Sequence, residues 1–138
     1  MMFTIHADGG ARGNPGPSGA GAVVRDEFGN TVAVVSKFLG HQTNNFAEYE
    51  AVILAFDELA RLTDGKAAKT DVVVKLDSEL IVKQMNKEYK VKNGGLKVQH
   101  ARLLQKLGAF KSVVFMHVPR AQNSDADALA NEAMDSAR

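Results

Sequence analysis

The chain reads as an α/β domain: a mixed five-stranded sheet flanked by helices, in the order β-β-β-α-β-α-α-β-α. Three observations predict it. Short alternating apolar runs, with turn chemistry between them, fill the first 38 residues and make an antiparallel meander. Beyond them, apolar runs at 71–76 and 112–118 alternate with helical periodicity, the pattern of strands joined through helices. A length of 138 residues, 45% apolar and 24% charged, suits a single domain, 1–138, with one proper core.

Each element has its own signal. In 3–7, Phe3, Ile5 and Ala7 alternate with Thr4 and His6, which predicts the first strand. The glycine- and proline-rich stretch 9–19 predicts a loop. A second strand follows at 20–25, a turn at Asp26-Glu27-Phe28-Gly29-Asn30, and a third strand at 31–38. In 45–62, Tyr49, Val52, Ile53, Phe56, Leu59 and Ala60 fall at helical spacing, and Asp64-Gly65 ends that helix. Val72, Val73 and Val74 give 71–76 the continuous apolar look of a strand covered on both faces. A short helix is expected at 78–87, and Asn93-Gly94-Gly95 breaks the chain. A helix at 96–110 turns Val98, Leu103, Leu104 and Leu107 inward. The last strand, 112–118, stops at Pro119, and 123–137 closes the fold as a helix.

Bulk properties exclude several classes. No run of eighteen apolar residues exists to span a membrane, and the first residues lack a signal peptide's basic and apolar regions. With no cysteine there is neither a disulfide nor a thiolate zinc site, which fits a cytoplasmic protein. The net charge of +1 hides an asymmetry. Lys83, Lys87, Lys90, Lys92, Lys97, Arg102, Lys106 and Lys111 face a single acid in that span, Glu88, so the segment is locally +7 and the remainder −6. A solvated helical pair accounts for such lysines. So does a polyanion lying across one face and reaching an acidic centre.

Four acids stand where predicted elements meet loops: Asp8, Glu48, Asp77 and Asp127. Each has a structural explanation taken alone. Asp8 before Gly9-Gly10 suits an Asx-turn. With Asn45 as N-cap, Glu48 completes a capping box. Asp77 before Ser78 suits an N-cap. Asp125 and Asp127 both suit the start of the last helix, where negative charge contributes about 1 kcal/mol or less. Being two apart they point to different faces, so at most one reaches a shared centre. Together the acids ask for more than coincidence. If the strands ending at Asp8 and Asp77 are parallel neighbours, their carboxylates are close enough to share a cation. Crowded carboxylates repel and raise one another's pKa, a penalty that a divalent ion removes. An all-oxygen donor set suits Mg²⁺ or Mn²⁺.

These residues resemble those of type HI ribonuclease H. The matching text is Asp8-Gly9-Gly10-Ala11-Arg12-Gly13-Asn14-Pro15-Gly16-Pro17, then Thr43-Asn44-Asn45 with Glu48, then Leu76-Asp77-Ser78, then Asn123 followed by Asp127-Ala128-Leu129-Ala130. The resemblance covers essentially the whole chain, and its first motif is long and specific. It implies a ribonuclease H-like fold and a divalent-metal endoribonuclease that cuts the RNA strand of RNA–DNA hybrids, leaving 3′-hydroxyl and 5′-phosphate ends. It implies Asp8, Glu48, Asp77 and Asp127 as ligands of two ions, ~4 Å apart in such sites. It selects Asp127 over Asp125. Substrate contacts are implied at Gly9, Asn14, Thr43, Asn44, Asn45, Ser78 and Asn123, and a monomer is expected.

The chain departs from that family twice. Where many members carry a loop histidine after the last strand, this one has Pro119-Arg120-Ala121-Gln122. Arg120 can supply charge there but cannot shuttle protons near neutral pH; the nearby His117 falls inside the predicted strand. The basic handle insertion of well-studied bacterial members is also missing, replaced by a short lysine-rich link at 87–97. Two rival readings are a non-catalytic nucleic-acid-binding module of the same fold and a related nuclease acting on double-stranded RNA or DNA.

Overall fold

The computed structural model describes residues 1–136; Ala137 and Arg138 lie outside the described residues. Five strands, β1 (Met2–Ala11), β2 (Gly16–Asp26), β3 (Thr31–Gln42), β4 (Asp71–Leu76) and β5 (Ser112–His117), form one sheet in the order β3-β2-β1-β4-β5. The β1–β2–β3 meander is antiparallel, and β4 and β5 join parallel to β1. The helices are α1 (Asn44–Thr63), α2 (Glu79–Met85), α3 (Gly94–Leu107) and α4 (Ser124–Asp135), with 3₁₀ turns at Ala67–Lys69 and Arg120–Asn123. The element order is the expected one.

Alternation along β1 and β2 sends Ile5, Ala7, Ala20, Ala22 and Val24 to one core, where α1 supplies Tyr49, Val52, Ile53, Phe56 and Leu59, all 0% exposed in α1. Full burial of an aliphatic or aromatic side chain of this kind is worth about 1.5–3 kcal/mol. Polar ties fix the helices around α1. Tyr49 donates to Gln84 Oε1 at 2.7 Å, joining α2, and Glu50 accepts from Gln99 at 2.9 Å and from Arg102 at 2.7 Å, joining α3. On the other face, α4 lies over β1, β2 and β3.

The structure corrects several sequence expectations. The stretch 9–19 is mostly strand: β1 runs on to Ala11 and β2 starts at Gly16, paired through Ala11 and Ser18. The glycines serve close approach. A Cβ on Gly9 would lie 2.2 Å from the Ala47 carbonyl carbon in α1, and one on Gly21 would lie 2.2 Å from the Ala126 carbonyl oxygen in α4. Strand β4 alternates, with Val72, Val74 and Leu76 buried and Val73 half-buried, because its second face lies beside α4's main footprint. Helix α3 begins earlier, at Gly94, because Asn93 Oδ1 caps the N–H groups of Gly95 and Leu96 at 2.9 and 3.2 Å. Leu103 and Leu107 face inward as expected, joined by Gln99 and Leu96, whereas Val98 is 61% and Leu104 44% exposed. Among the described residues no helix is long and apolar enough to cross a membrane.

Candidate active site

The β1–β4 register brings two acids together. His6 pairs with Lys75, so Asp8 and Asp77, each two residues further on, stand level and on the same face of the sheet. Asp8 lies inside β1, opposite Gly21 of β2, just where the parallel partner β4 has ended at Leu76. Glu48 arrives from α1. It is not half of a capping box: Thr43 is the N-cap, its Oγ1 accepting from Phe46 N–H at 3.1 Å, which leaves Glu48 too deep in the helix to reach back. What delivers Glu48 is the bare Cα of Gly9, since a side chain there would also come within 2.5 Å of the Glu48 backbone nitrogen. Asp8, Glu48 and Asp77 offer carboxylate oxygens all within 4.8 Å of one another.

Asp127 comes from the first turn of α4, which rests on β2 at Gly19 and Gly21. Its carboxyl lies close enough to Asp8 to help raise the Asp8 pKa. Asp125 turns away and pairs with Arg25 at 2.7 Å, so the geometry separates the two late acids. Burial is the largest cause that pushes Asp8 up to about 8, followed by the nearby Asp127 carboxyl and the charges of Asp77 and Glu48. Burial also lifts Glu48 to about 7, against a hydrogen bond from Ser78 that favours its ionised form. Carboxyls that hold protons this high, with oxygens close enough together to share one coordination sphere, fit a divalent cation with oxygen ligands.

Asp8, Glu48 and Asp127 open into a cleft of about 490 Å³ whose lining also includes Gly9, Asn14, Asn44, Asn45 and Arg120, while Asp77 stands behind Asp8 and Glu48. Asn14 Oδ1 accepts from Asn44 N–H at 3.1 Å, and Asn44 Oδ1 accepts from Ala11 N–H at 2.6 Å. Both amide oxygens are thus committed to the backbone, and both NH₂ groups remain as donors at the rim. Arg120 reaches within 3.6 Å of Asp127 Oδ1. Thr43 and Ser78, expected as substrate contacts, are helix caps here, Ser78 Oγ accepting from Ile81 N–H at 3.4 Å. Asn123 departs from expectation most. It is 1% exposed, donates to the Ala7 carbonyl at 2.7 Å, and has a buried Oδ1 without a hydrogen-bond partner, so it ties α4's leading turn to β1 instead of facing the cleft.

A polar residue of the cleft that the sequence does not single out is Asn131. Its Nδ2 donates to Asp127 O at 3.0 Å and Oδ2 at 3.3 Å. The signal was its place four residues after Asp127, one helical turn along. The basic segment is partly consumed by structure: Lys83 pairs with Glu79, Arg102 with Glu50 and Lys106 with Asp57. Lys87, Lys90 and Lys97 instead line a second cleft of about 360 Å³ with Tyr89 and His100.

A family model described as reverse transcriptase-like matches residues 6–133. A bifunctional protein of Mycobacterium tuberculosis is 42% identical over 138 residues, covering 99% of this chain and 36% of that protein. Ribonuclease HI of Halobacterium salinarum is 38% identical, covering 96% of this chain and 65% of that protein. The chain therefore spans about a third of the mycobacterial relative and about two thirds of the halobacterial one. Among solved structures, LC11-RNase H1 in complex with an RNA/DNA hybrid superposes with a TM-score of 0.92 at 46% identity, covering 98% of each chain. Sequence and fold agree: the chain belongs to the reverse transcriptase-like family, within its type 1 ribonuclease H branch.

Proposed function

We propose that this domain is a divalent-metal-dependent endoribonuclease that cuts the RNA strand of RNA–DNA hybrids, leaving 3′-hydroxyl and 5′-phosphate ends. The observation that carries the reading is the convergence of Asp8, Glu48 and Asp77 within 4.8 Å, with Asp127 alongside, at the floor of an asparagine-lined cleft. In this reading Asp8, Glu48, Asp77 and Asp127 would hold two ions, Mg²⁺ or Mn²⁺. When bound, the ions supply a nucleophilic water at neutral pH and stabilise the leaving oxygen.

The chain's own residues do the rest. Asn14 and Asn44, whose amide oxygens are held by backbone N–H groups, present NH₂ donors to the substrate together with Asn45. Such donors can recognise a 2′-hydroxyl, the group that separates RNA from DNA. Arg120 contributes charge beside Asp127 without exchanging protons. Lys87, Lys90 and Lys97 hold phosphates without reading sequence. Because Lys83, Arg102 and Lys106 are spent on structural pairs, and no handle insertion adds to the remainder, this grip on duplex is weak. The domain acts as a monomer in the cytoplasm, with 1–138 as one folded unit.

Labelled hybrid, RNA duplex, DNA duplex and DNA carrying one ribonucleotide, each with Mg²⁺ and with Mn²⁺, test the reading. Cleavage confined to the RNA strand of the hybrid is expected. Binding without any cleavage favours the non-catalytic module, and equal cleavage of duplex DNA or duplex RNA favours the related nuclease.

A further inference from the structure

Both carboxylate oxygens of Asp127 are engaged by side chains. Oδ2 accepts from Asn131 Nδ2 at 3.3 Å, and the same amide donates to the Asp127 backbone carbonyl at 3.0 Å. Oδ1 lies 3.6 Å from the Arg120 guanidinium. The two ties differ in kind. The half-buried Asn131 bridges backbone and carboxylate within one helical turn, which fixes the side-chain rotamer. The Arg120 side chain is 80% exposed against 31% for Asp127, and an ion pair so open is weak and exchangeable. Asp127 also stands outside the group of three acids whose oxygens all lie within 4.8 Å.

We propose that Asn131 and Arg120 divide the two oxygens of Asp127. Asn131 is a positioning residue that aims Oδ1 into the cleft. Arg120 is a built-in counter-cation that holds Oδ1 until a divalent cation displaces it. Asp8, Glu48 and Asp77 then form the half of the site that fills first, and Asp127 serves the half that fills late, in competition with Arg120. A guanidinium keeps its charge at every working pH, so the competition persists where an imidazole would have lost its proton. The inference rests on the metal-dependent reading above.

Calorimetric titration of the whole chain with Mn²⁺ tests it without reference to cleavage. Wild type is expected to show two binding events. Asn131→Leu, which removes the donor at similar volume, should weaken the later event about ten-fold. Arg120→Ala should tighten that event about three-fold, and Arg120→Lys should stay within about two-fold of wild type. The earlier event should not move. In an Asp127→Asn background the effects of both substitutions should vanish. Asn131→Ala, with a thermal melt, covers the case in which leucine disturbs α4. Opposite signs at two neighbouring residues are not what general damage produces. The proposal is overturned if Arg120→Ala weakens Mn²⁺ binding or leaves it unchanged. It is equally overturned if either effect survives in the Asp127→Asn background. Hybrid cleavage is scored separately. Two events with the expected signs but no cleavage overturn the substrate reading alone, whereas cleavage with the signs reversed overturns this inference alone.

Discussion

Asp8→Asn should make the metal-free protein more stable and, at the same time, inert. The sign follows from linkage. The folded state holds the Asp8 proton up to about pH 8, whereas the unfolded chain releases it near 3.8. Between those values the native state binds more protons than the unfolded state, so stability falls as pH rises, and asparagine removes that loss. At about 1.4 kcal/mol per pH unit, the ceiling at pH 7 is roughly 4 kcal/mol. Water in the open cleft screens part of the repulsion, leaving about 2 kcal/mol. For a domain of this size that raises Tm by about 6 °C. The assay is thermal unfolding of wild type and variant in chelator at pH 4, 5.5 and 7, followed by a hybrid-cleavage assay with Mn²⁺. The gain should be absent at pH 4 and largest at pH 7, and cleavage should fall below detection. A variant that is no more stable than wild type at pH 7, or that cuts at a near-wild-type rate, would refute the reasoning.

Gly9→Ala should push α1 back by about 1 Å and carry Glu48 with it, lowering the cleavage rate about a hundred-fold; an unchanged rate would show that α1 is not held by this contact. Arg120→Ala should lower turnover while cleavage still requires divalent metal, and unchanged turnover would remove Arg120 from the mechanism. Mn²⁺ affinity should rise steadily from pH 6 to pH 8 as Asp8 and Glu48 give up protons held to about 8 and 7, with proton release visible as a buffer-dependent calorimetric heat. A pH-independent affinity would mean the acids are already ionised. Gly21→Ala should cost about 2 kcal/mol in denaturant unfolding by overpacking α4 against β2, whereas Gly94→Ala, at the start of α3 with nothing within 4 Å of the new Cβ, should disturb no packing.

Three of the four acids are legible because each sits beside a second signal: Asp8 before paired glycines, Asp77 after a valine-rich strand, Glu48 after three capping-type residues; Asp127 is told from Asp125 only by the family resemblance. The nature of those signals was harder to read. Glycine marks both turns and close backbone approach, and 9–19 reads as a loop because the helices lying against Gly9, Gly19 and Gly21 come from distant sequence. Thr43, Asn44 and Asn45 can all cap a helix, and only the backbone bend at Thr43 decides among them. The inward face of α3 was misread because Gln99 looks like a surface residue until Glu50 and Arg102 satisfy it. Asn123 was assigned by resemblance to the substrate, while its amide belongs to the Ala7 carbonyl across 116 residues.

Most helix–sheet contacts are cushioned by a layer of side chains that can change rotamer and absorb displacement. At three points on β1 and β2 that cushion is missing, since α1 meets Gly9 on one face and α4 meets Gly19 and Gly21 on the other at the level of peptide groups. Such a joint has little compliance. Whatever displaces α4 is passed through β2 and β1 to α1 with almost no slack, so the spacing between Asp127 and Glu48 behaves as the length of a stiff strut. Neutral drift elsewhere in the core can then retune stability without retuning the distance that the metal site needs.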